Sequence, residues 1–138
     1  MKQRILFVCI HNSARSQMAE AFVNTLAPKR FFAESAGIEP GKLNPLVVEA
    51  MKEIGIDISN NKTKSIQDFI KAGKTFEYLI TVCDETGAQR CPVVPGTGQR
   101  LHFGFADPLA FTGSKEEKME KIRKVRDQIR TAIVSWLK

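Results

Sequence analysis

Ile5-Leu6-Phe7-Val8-Cys9-Ile10-His11-Asn12-Ser13-Ala14-Arg15-Ser16 runs from an apolar strand into a polar turn and then into a helical pattern. A strand-to-helix turn of this kind aims successive backbone N–H groups inward, and the following helix adds the positive end of its dipole. The loop Ile10, His11, Asn12, Ser13, Ala14 and Arg15 therefore forms a cradle for a tetrahedral oxyanion. The planar fork of Arg15 grips two of the anion's oxygens. Cys9, at the entrance of the cradle, sees the same positive field, which favours its thiolate and makes it a nucleophile. Asn12, Ser13 and Ser16 are small polar residues able to hold such a loop in shape.

Outward from this segment the chain reads strand, helix, strand, helix, helix, strand, loop, strand, helix. The first strand is expected at Ile5–Cys9 and the first helix at Arg15–Leu26, with Met18, Phe22 and Leu26 on one face. Arg30–Glu34 reads as the second strand. Asn44-Pro45 opens a helix that Gly55 closes, and Ser65–Ala72 forms a shorter one closed by Gly73. The third strand covers Tyr78–Val82 and ends at Cys83. A long loop containing Gly87, Pro92, Pro95, Gly96 and Gly98 follows, then a weak fourth strand at Leu101–Phe103. Ser114 and Glu117 have capping-box spacing and start the last helix, whose apolar stripe is Met119, Ile122, Val125, Ile129, Ile133 and Trp136. Strands alternating with helices predict an α/β fold: one domain over residues 1–138, a doubly wound parallel sheet of four strands in the order 2-1-3-4 with helices on both faces. Ligands of such sheets sit beyond the carboxyl ends of the strands, where the strand order reverses. The Cys9 loop occupies that point.

Composition narrows the function. The chain has 138 residues, 43% hydrophobic and 26% charged, as in ordinary globular proteins. No apolar stretch approaches the ~20 residues of a membrane span. The start runs straight into the catalytic loop, so no cleaved signal peptide is expected. Three cysteines are an odd count for a paired secreted framework, and a cytoplasmic protein with reactive thiols is expected. The net charge is +6, of which the last 24 residues carry +4. These charges lie on a helix with acidic residues interspersed and no aromatic platform beside them. A solvated helix face follows, with no nucleic-acid partner.

The expected strand order makes the first and third strands neighbours, about 4.8 Å apart, with Cys9 and Cys83 at the same sheet edge. Disulfides need Cα separations of about 4.4–6.8 Å, so modest loop motion would join the two. Cys91, in the loop beyond, could fold back on Cys83, and the three thiols could pass a disulfide outward. A zinc site is disfavoured, because there is no short Cys pair and no histidine at ligand spacing. Pro108 restricts Asp107 to an extended conformation, which lets its carboxyl group protonate an oxygen leaving the tetrahedral centre.

These segments, together with Glu34-Ser35-Ala36-Gly37-Ile38 and His102-Phe103-Gly104-Phe105-Ala106-Asp107-Pro108, closely resemble the thioredoxin-coupled arsenate reductases, which are built on the low-molecular-weight tyrosine phosphatase fold. The resemblance covers nearly the whole chain. It implies reduction of arsenate to arsenite, with Cys9 as nucleophile, Arg15 as oxyanion ligand, and Ser16 supporting the Cys9 thiolate. It makes Cys83 and Cys91 the resolving and exporting thiols and Asp107 the general acid, while Asn12 braces the loop. Phosphate and sulfate are the expected competing anions, thioredoxin the expected electron donor, and the protein a monomer with no tightly bound cofactor. Some family members bind potassium near the loop. Asn12, Glu20 and Ser35 match part of that K+ site, but Lys64-Ser65 stands where a further acidic ligand is needed, and a lysine could replace the cation's charge. Two other readings compete: a tyrosine phosphatase, although Leu109-Ala110-Phe111 follows Asp107-Pro108 where phosphatases carry tyrosines, and a non-catalytic redox or oxyanion sensor.

Overall fold

Seven residues, Gln3–Cys9, form β1, and the five from Ile5 onward are all buried. Continuous burial without alternation marks a central strand covered on both faces. The computed structural model describes residues 2–138, the Thr86 side chain excepted. After β1 come α1 (Arg15–Leu26), β2 (Phe31–Gly37), α2 (Pro45–Lys52), α3 (Ile66–Lys71), β3 (Tyr78–Thr81), α4 (Glu85–Arg90), β4 (Gln99–His102), a 3-10 turn at Pro108–Ala110 and α5 (Lys115–Leu137). All pairings are parallel and the sheet order is β2-β1-β3-β4, as the alternation of elements predicts.

The period of two along β1 divides the core. Ile5, Phe7 and Cys9 point to one face, where Met18 and Phe22 of α1, Val47 and Met51 of α2, and Ile122, Ile129 and Ile133 of α5 cover them. Leu6 and Val8 point to the other, against Ile66 and Phe69 of α3, with Phe76, Leu79 and Val94. The stripe on α5 is buried as its spacing requires, and Trp136 at its end packs tilted against Phe31 at 5.3 Å and edge to face with Tyr78 at 5.1 Å. Ser114 caps α5 and forms the reciprocal box with Glu117. Asn44 caps α2 by accepting from Leu46 N–H.

The elements differ from the sequence reading in several places, beginning with β1, which starts at Gln3 and not at Ile5. β2 continues to Gly37 because Phe7, Val8 and Cys9 pair with Ser35, Ala36 and Gly37, so backbone pairing outlasts the apolar residues. β4 begins at Gln99, two residues early, drawn in by the partners Tyr78 and Leu79. The stretch expected to be wholly loop after Cys83 contains α4, whose start is capped by Asp84 accepting from Gly87 N–H at 2.7 Å.

Candidate active site

The loop from Ile10 to Ala14 is held from outside by its carbonyl groups. Those of Cys9, Ile10, His11 and Ser13 accept, in turn, from the N–H groups of Ile38, Glu39, Gly41 and Asn44, at 2.7–3.2 Å. A trans peptide points its N–H opposite to its C=O, so anchoring these carbonyls outward turns the intervening N–H groups into the cradle. Gly37 makes the close approach possible. A Cβ there would lie 2.9 Å from Asn12 N, the His11 carbonyl carbon and Ile10 O, all of them backbone.

Asn12 sets the turn. Its φ is 55°, in the left-handed region that asparagine tolerates better than most residues, and it is fully buried. Its backbone N–H donates to Cys9 Sγ at 3.2 Å and its Nδ2 to Ser16 Oγ at 2.7 Å. Because Ser16 Oγ accepts from Asn12, its own hydrogen is free for Cys9 Sγ, 2.9 Å away. A thiolate on Cys9 thus has two donors aimed at it. Asn12 Oδ1 accepts from Gln17 Nε2 at 3.1 Å and Lys64 N at 2.9 Å.

Arg15 opens α1 and is almost wholly buried. Its Nη1 donates to Phe105 O at 3.1 Å, and its Nη2 lies 3.7 Å from Asp107 Oδ2. The segment after β4 is thereby drawn over the loop. Asp107 is extended, as Pro108 requires, and its Oδ1 accepts from Leu109 N–H at 3.0 Å. His11 is half-buried at the rim, its Nδ1 paired with Glu39 O at 3.0 Å. Gln17 is a participant the sequence reading missed: fully buried, it bonds Asn12, the Lys62 carbonyl and Asn61. Its signal was a long amide at the buried start of a helix, beside Ser16 and before Met18.

The remaining positions divide. Cys83 is buried in the same apolar cluster as Cys9 and packs against Gly87 of α4. Cys91 is buried on the opposite face of the sheet, beside Leu79 and Val94, with Sγ donating to Pro92 O at 3.6 Å. All three thiols are free. Glu20 Oε1 accepts from Ser35 Oγ at 3.0 Å and pairs with Lys64 Nζ at 3.3 Å. Of the oxygens expected to hold potassium, Glu20 Oε1 and Asn12 Oδ1 therefore already accept from this chain's own donors.

Comparison with known proteins agrees with this geometry. The sequence profile described as low molecular weight phosphotyrosine protein phosphatase matches residues 4–138. The chain belongs to this family. A relative named arsenate reductase from Bacillus subtilis is 42% identical over 91% of this chain and 88% of its own length. A solved structure titled as an arsenate reductase in the phosphate binding state aligns with a TM-score of 0.77 at 29% identity, covering 99% of this chain and 96% of that one. A thioredoxin-dependent arsenate reductase of Corynebacterium glutamicum aligns at 30% identity with a TM-score of 0.63, covering 96% of this chain and 62% of that one.

In this member of the phosphatase family the thiols behind the loop are electrostatically distinct. Burial pushes the Cys83 thiol up to about 11, partly opposed by the positive charge of Arg15. Burial also raises Cys91, and Arg100 opposes it there. Folded Cys83 keeps a proton that the unfolded chain gives up near the ordinary thiol value of about 8.5. Its contribution to stability is therefore complete below about pH 8.5 and is lost as pH rises towards 11. Urea unfolding of the reduced protein should show the midpoint falling more steeply across this alkaline range than in Cys83→Ser. Equal slopes would mean that the folded thiol ionises freely.

Proposed function

We propose that this chain is an arsenate reductase that draws two electrons from its own thiols, exports the oxidising equivalent through Cys91, and is re-reduced by thioredoxin in the cytoplasm. The observation that carries the reading is the placement of Cys83 behind Cys9, on one face of the sheet and within reach of the same Arg15 charge. Ester hydrolysis has no use for that second thiol. The names of the relatives point the same way. All of the groups come from a single chain, so one copy suffices for the chemistry.

The loop amides and Arg15 hold arsenate with arsenic above Cys9. The Cys9 thiolate forms a sulfur–arsenic bond while Asp107 delivers a proton to a departing oxygen, which leaves as water. Cys83 then loses its proton and attacks Cys9 Sγ. The sulfur–arsenic bond breaks with its electron pair passing to arsenic, which leaves as As(III), and a Cys9–Cys83 disulfide remains. Cys91 attacks Cys83 Sγ, Cys9 departs as a thiolate, and the Cys83–Cys91 disulfide is reduced by the external dithiol. This last exchange requires α4 to open. Six helical residues separate the partners by roughly 9 Å at ~1.5 Å per residue, beyond the span of a disulfide, and the two thiols rest on opposite faces. Hydrolysis of a phosphate ester would need only Cys9, Arg15 and Asp107, so slow phosphatase activity accompanies the reductase.

With thioredoxin, thioredoxin reductase and NADPH, the protein should oxidise NADPH only when arsenate is present. Cys91→Ser should release about one equivalent of arsenite and stop, Cys83→Ser should release almost none, and both should still hydrolyse p-nitrophenyl phosphate. Arsenate-independent oxidation, or full turnover by Cys91→Ser, would overturn the relay. Asp107→Asn should slow reduction and ester hydrolysis together by about 10²–10⁴-fold while leaving phosphate protection of Cys9 against iodoacetamide intact. Unchanged rates would reduce Asp107 to a turn residue. The ammonium of Lys64 stands in for potassium beside Glu20, so rates should match in potassium and sodium salts of equal ionic strength. A rise specific to potassium would restore a cation site.

A further inference from the structure

A helix as short as α4 does not persist on propensity alone, and Gly87 near its centre weakens it further. Its ends are held from outside. Asp84 caps the first turn. At the other end Arg100 of β4 donates from Nη2 to Ala88 O at 3.0 Å and to Cys91 O at 3.2 Å. Arg90, the last helical residue, pairs with Glu39, whose N–H and carbonyl bond Ile10 and His11 of the oxyanion loop. Arg100 takes its position from the sheet, where it pairs in register with Leu79. Leu79 lies in the apolar cluster that buries Cys91.

We propose that Arg100 is the positioning residue of the exporting thiol: its guanidinium clasps the carbonyls of Ala88 and Cys91, keeping α4 wound and Cys91 buried until Cys83 has been oxidised. The proposal rests on the relay described above and says what restrains its last step. Release comes through Gly87. Cys83 Sγ lies so close to it that a Cβ at residue 87 would be 2.9 Å from the sulfur and 3.1 Å from Ile10 Cδ1, so Cys83 and Ile10 together support α4 on the side facing the loop. A sulfur–sulfur bond of about 2.05 Å to Cys9 withdraws Cys83 Sγ towards the loop and removes its part of that support. The C-terminal turn is then held by the clasp of Arg100 and the Arg90–Glu39 pair, and the carbonyl bonds of the clasp exchange for water. In the exchange that follows, the Cys91 thiolate bonds to Cys83 Sγ, the Cys9–Cys83 bond breaks, and Cys9 leaves as the thiolate; the number of disulfides is unchanged. Arg100, opposing the effect of burial on Cys91, also favours the thiolate as it emerges.

The test uses the full chain carrying Cys9→Ser and Cys83→Ser, so that Cys91 is the sole thiol. Adding Arg100→Met should raise the rate of N-ethylmaleimide modification about tenfold, as expected for two lost charge-assisted hydrogen bonds, and Arg100→Lys should restore most of the protection. Hydrogen exchange should quicken at residues 85–91 and stay unchanged in β1 and α5. An unchanged or slower modification rate would overturn the clasp, since loss of charge alone slows alkylation, and so would faster exchange throughout the molecule. Neither measurement involves arsenate. A failure of the relay would instead appear as full arsenate turnover by Cys91→Ser, even while Arg100→Met still exposed the thiol.

Discussion

Asn12 sits in a left-handed backbone conformation at full burial, and every polar atom of its side chain is spoken for. The conformation turns the chain sharply enough for an N–H three residues beyond Cys9 to reach back to its sulfur. The side chain then fixes the direction of the remaining bonds. Because Nδ2 can only donate, Ser16 Oγ must accept there and is left to donate to Cys9. Because Oδ1 can only accept, it collects Gln17 and the Lys64 backbone, tying the loop to the segment before α3. A buried polar group left without a partner costs about 1–3 kcal/mol, so each member of this network constrains the next. Aspartate at this position would reverse one bond, presenting an acceptor to Ser16 and turning the hydroxyl proton away from the sulfur.

The loop is rigid because its outside is a continuation of the sheet. β1 is paired along its full length with β2, and beyond Gly37 the same two chains stay joined by bonds from Ile38 and Glu39 to Cys9 and Ile10. The ladder thus runs past the end of regular strand into the cradle. This is why a glycine is needed at residue 37, where any side chain would press on the backbone of three loop residues. The anion site therefore inherits the stability of the central strand, among the last parts of such a fold to open.

The sheet order, the loop and α5 were legible in the sequence because each depends on local pattern: continuous apolar runs, a cap with its box partner, a stripe at helical spacing. α4 was not. Gly87 and the prolines that follow read as loop, and no apolar stripe marks a six-residue helix held by Cys83 and, from other parts of the chain, by Ile10, Glu39 and Arg100. The cap itself was present, as Asp84 three residues before Gly87, but a side chain bonding its third neighbour occurs in turns as often as in helices. The Lys64–Glu20 pair shows the opposite case, in which the sequence raised lysine as a substitute for a cation and the two side chains do meet. The separation of Cys91 from Cys83 was out of reach, because it depends on which side of the sheet the chain crosses after α4. Gln17 was overlooked because a polar residue in a first helical turn is usually solvated.

Topology decides whether the loop has only a nucleophile or also a source of electrons. Each strand interposed between β1 and β3 would add about 4.8 Å between their ends, and one such strand would take Cys83 beyond the reach of a disulfide to Cys9. With β3 directly beside β1, Cys83, two residues past the end of β3, arrives at the back of the oxyanion loop, on the face where Cys9 already points. Burial there keeps Cys83 a neutral thiol at ordinary pH. The guanidinium of Arg15 stabilises a charge on Cys83 and lies 3.7 Å from Asp107 Oδ2, so an anion that takes up its charge makes Cys83 harder to ionise. In the proposed reaction that coupling orders the steps. While arsenate holds the positive charge of Arg15, Cys83 keeps its proton, which leaves only when Cys83 attacks the sulfur of the Cys9–arsenic adduct. As the sulfur–arsenic bond breaks and arsenite departs, the charge of Arg15 is freed to stabilise the thiolate leaving or forming beside it.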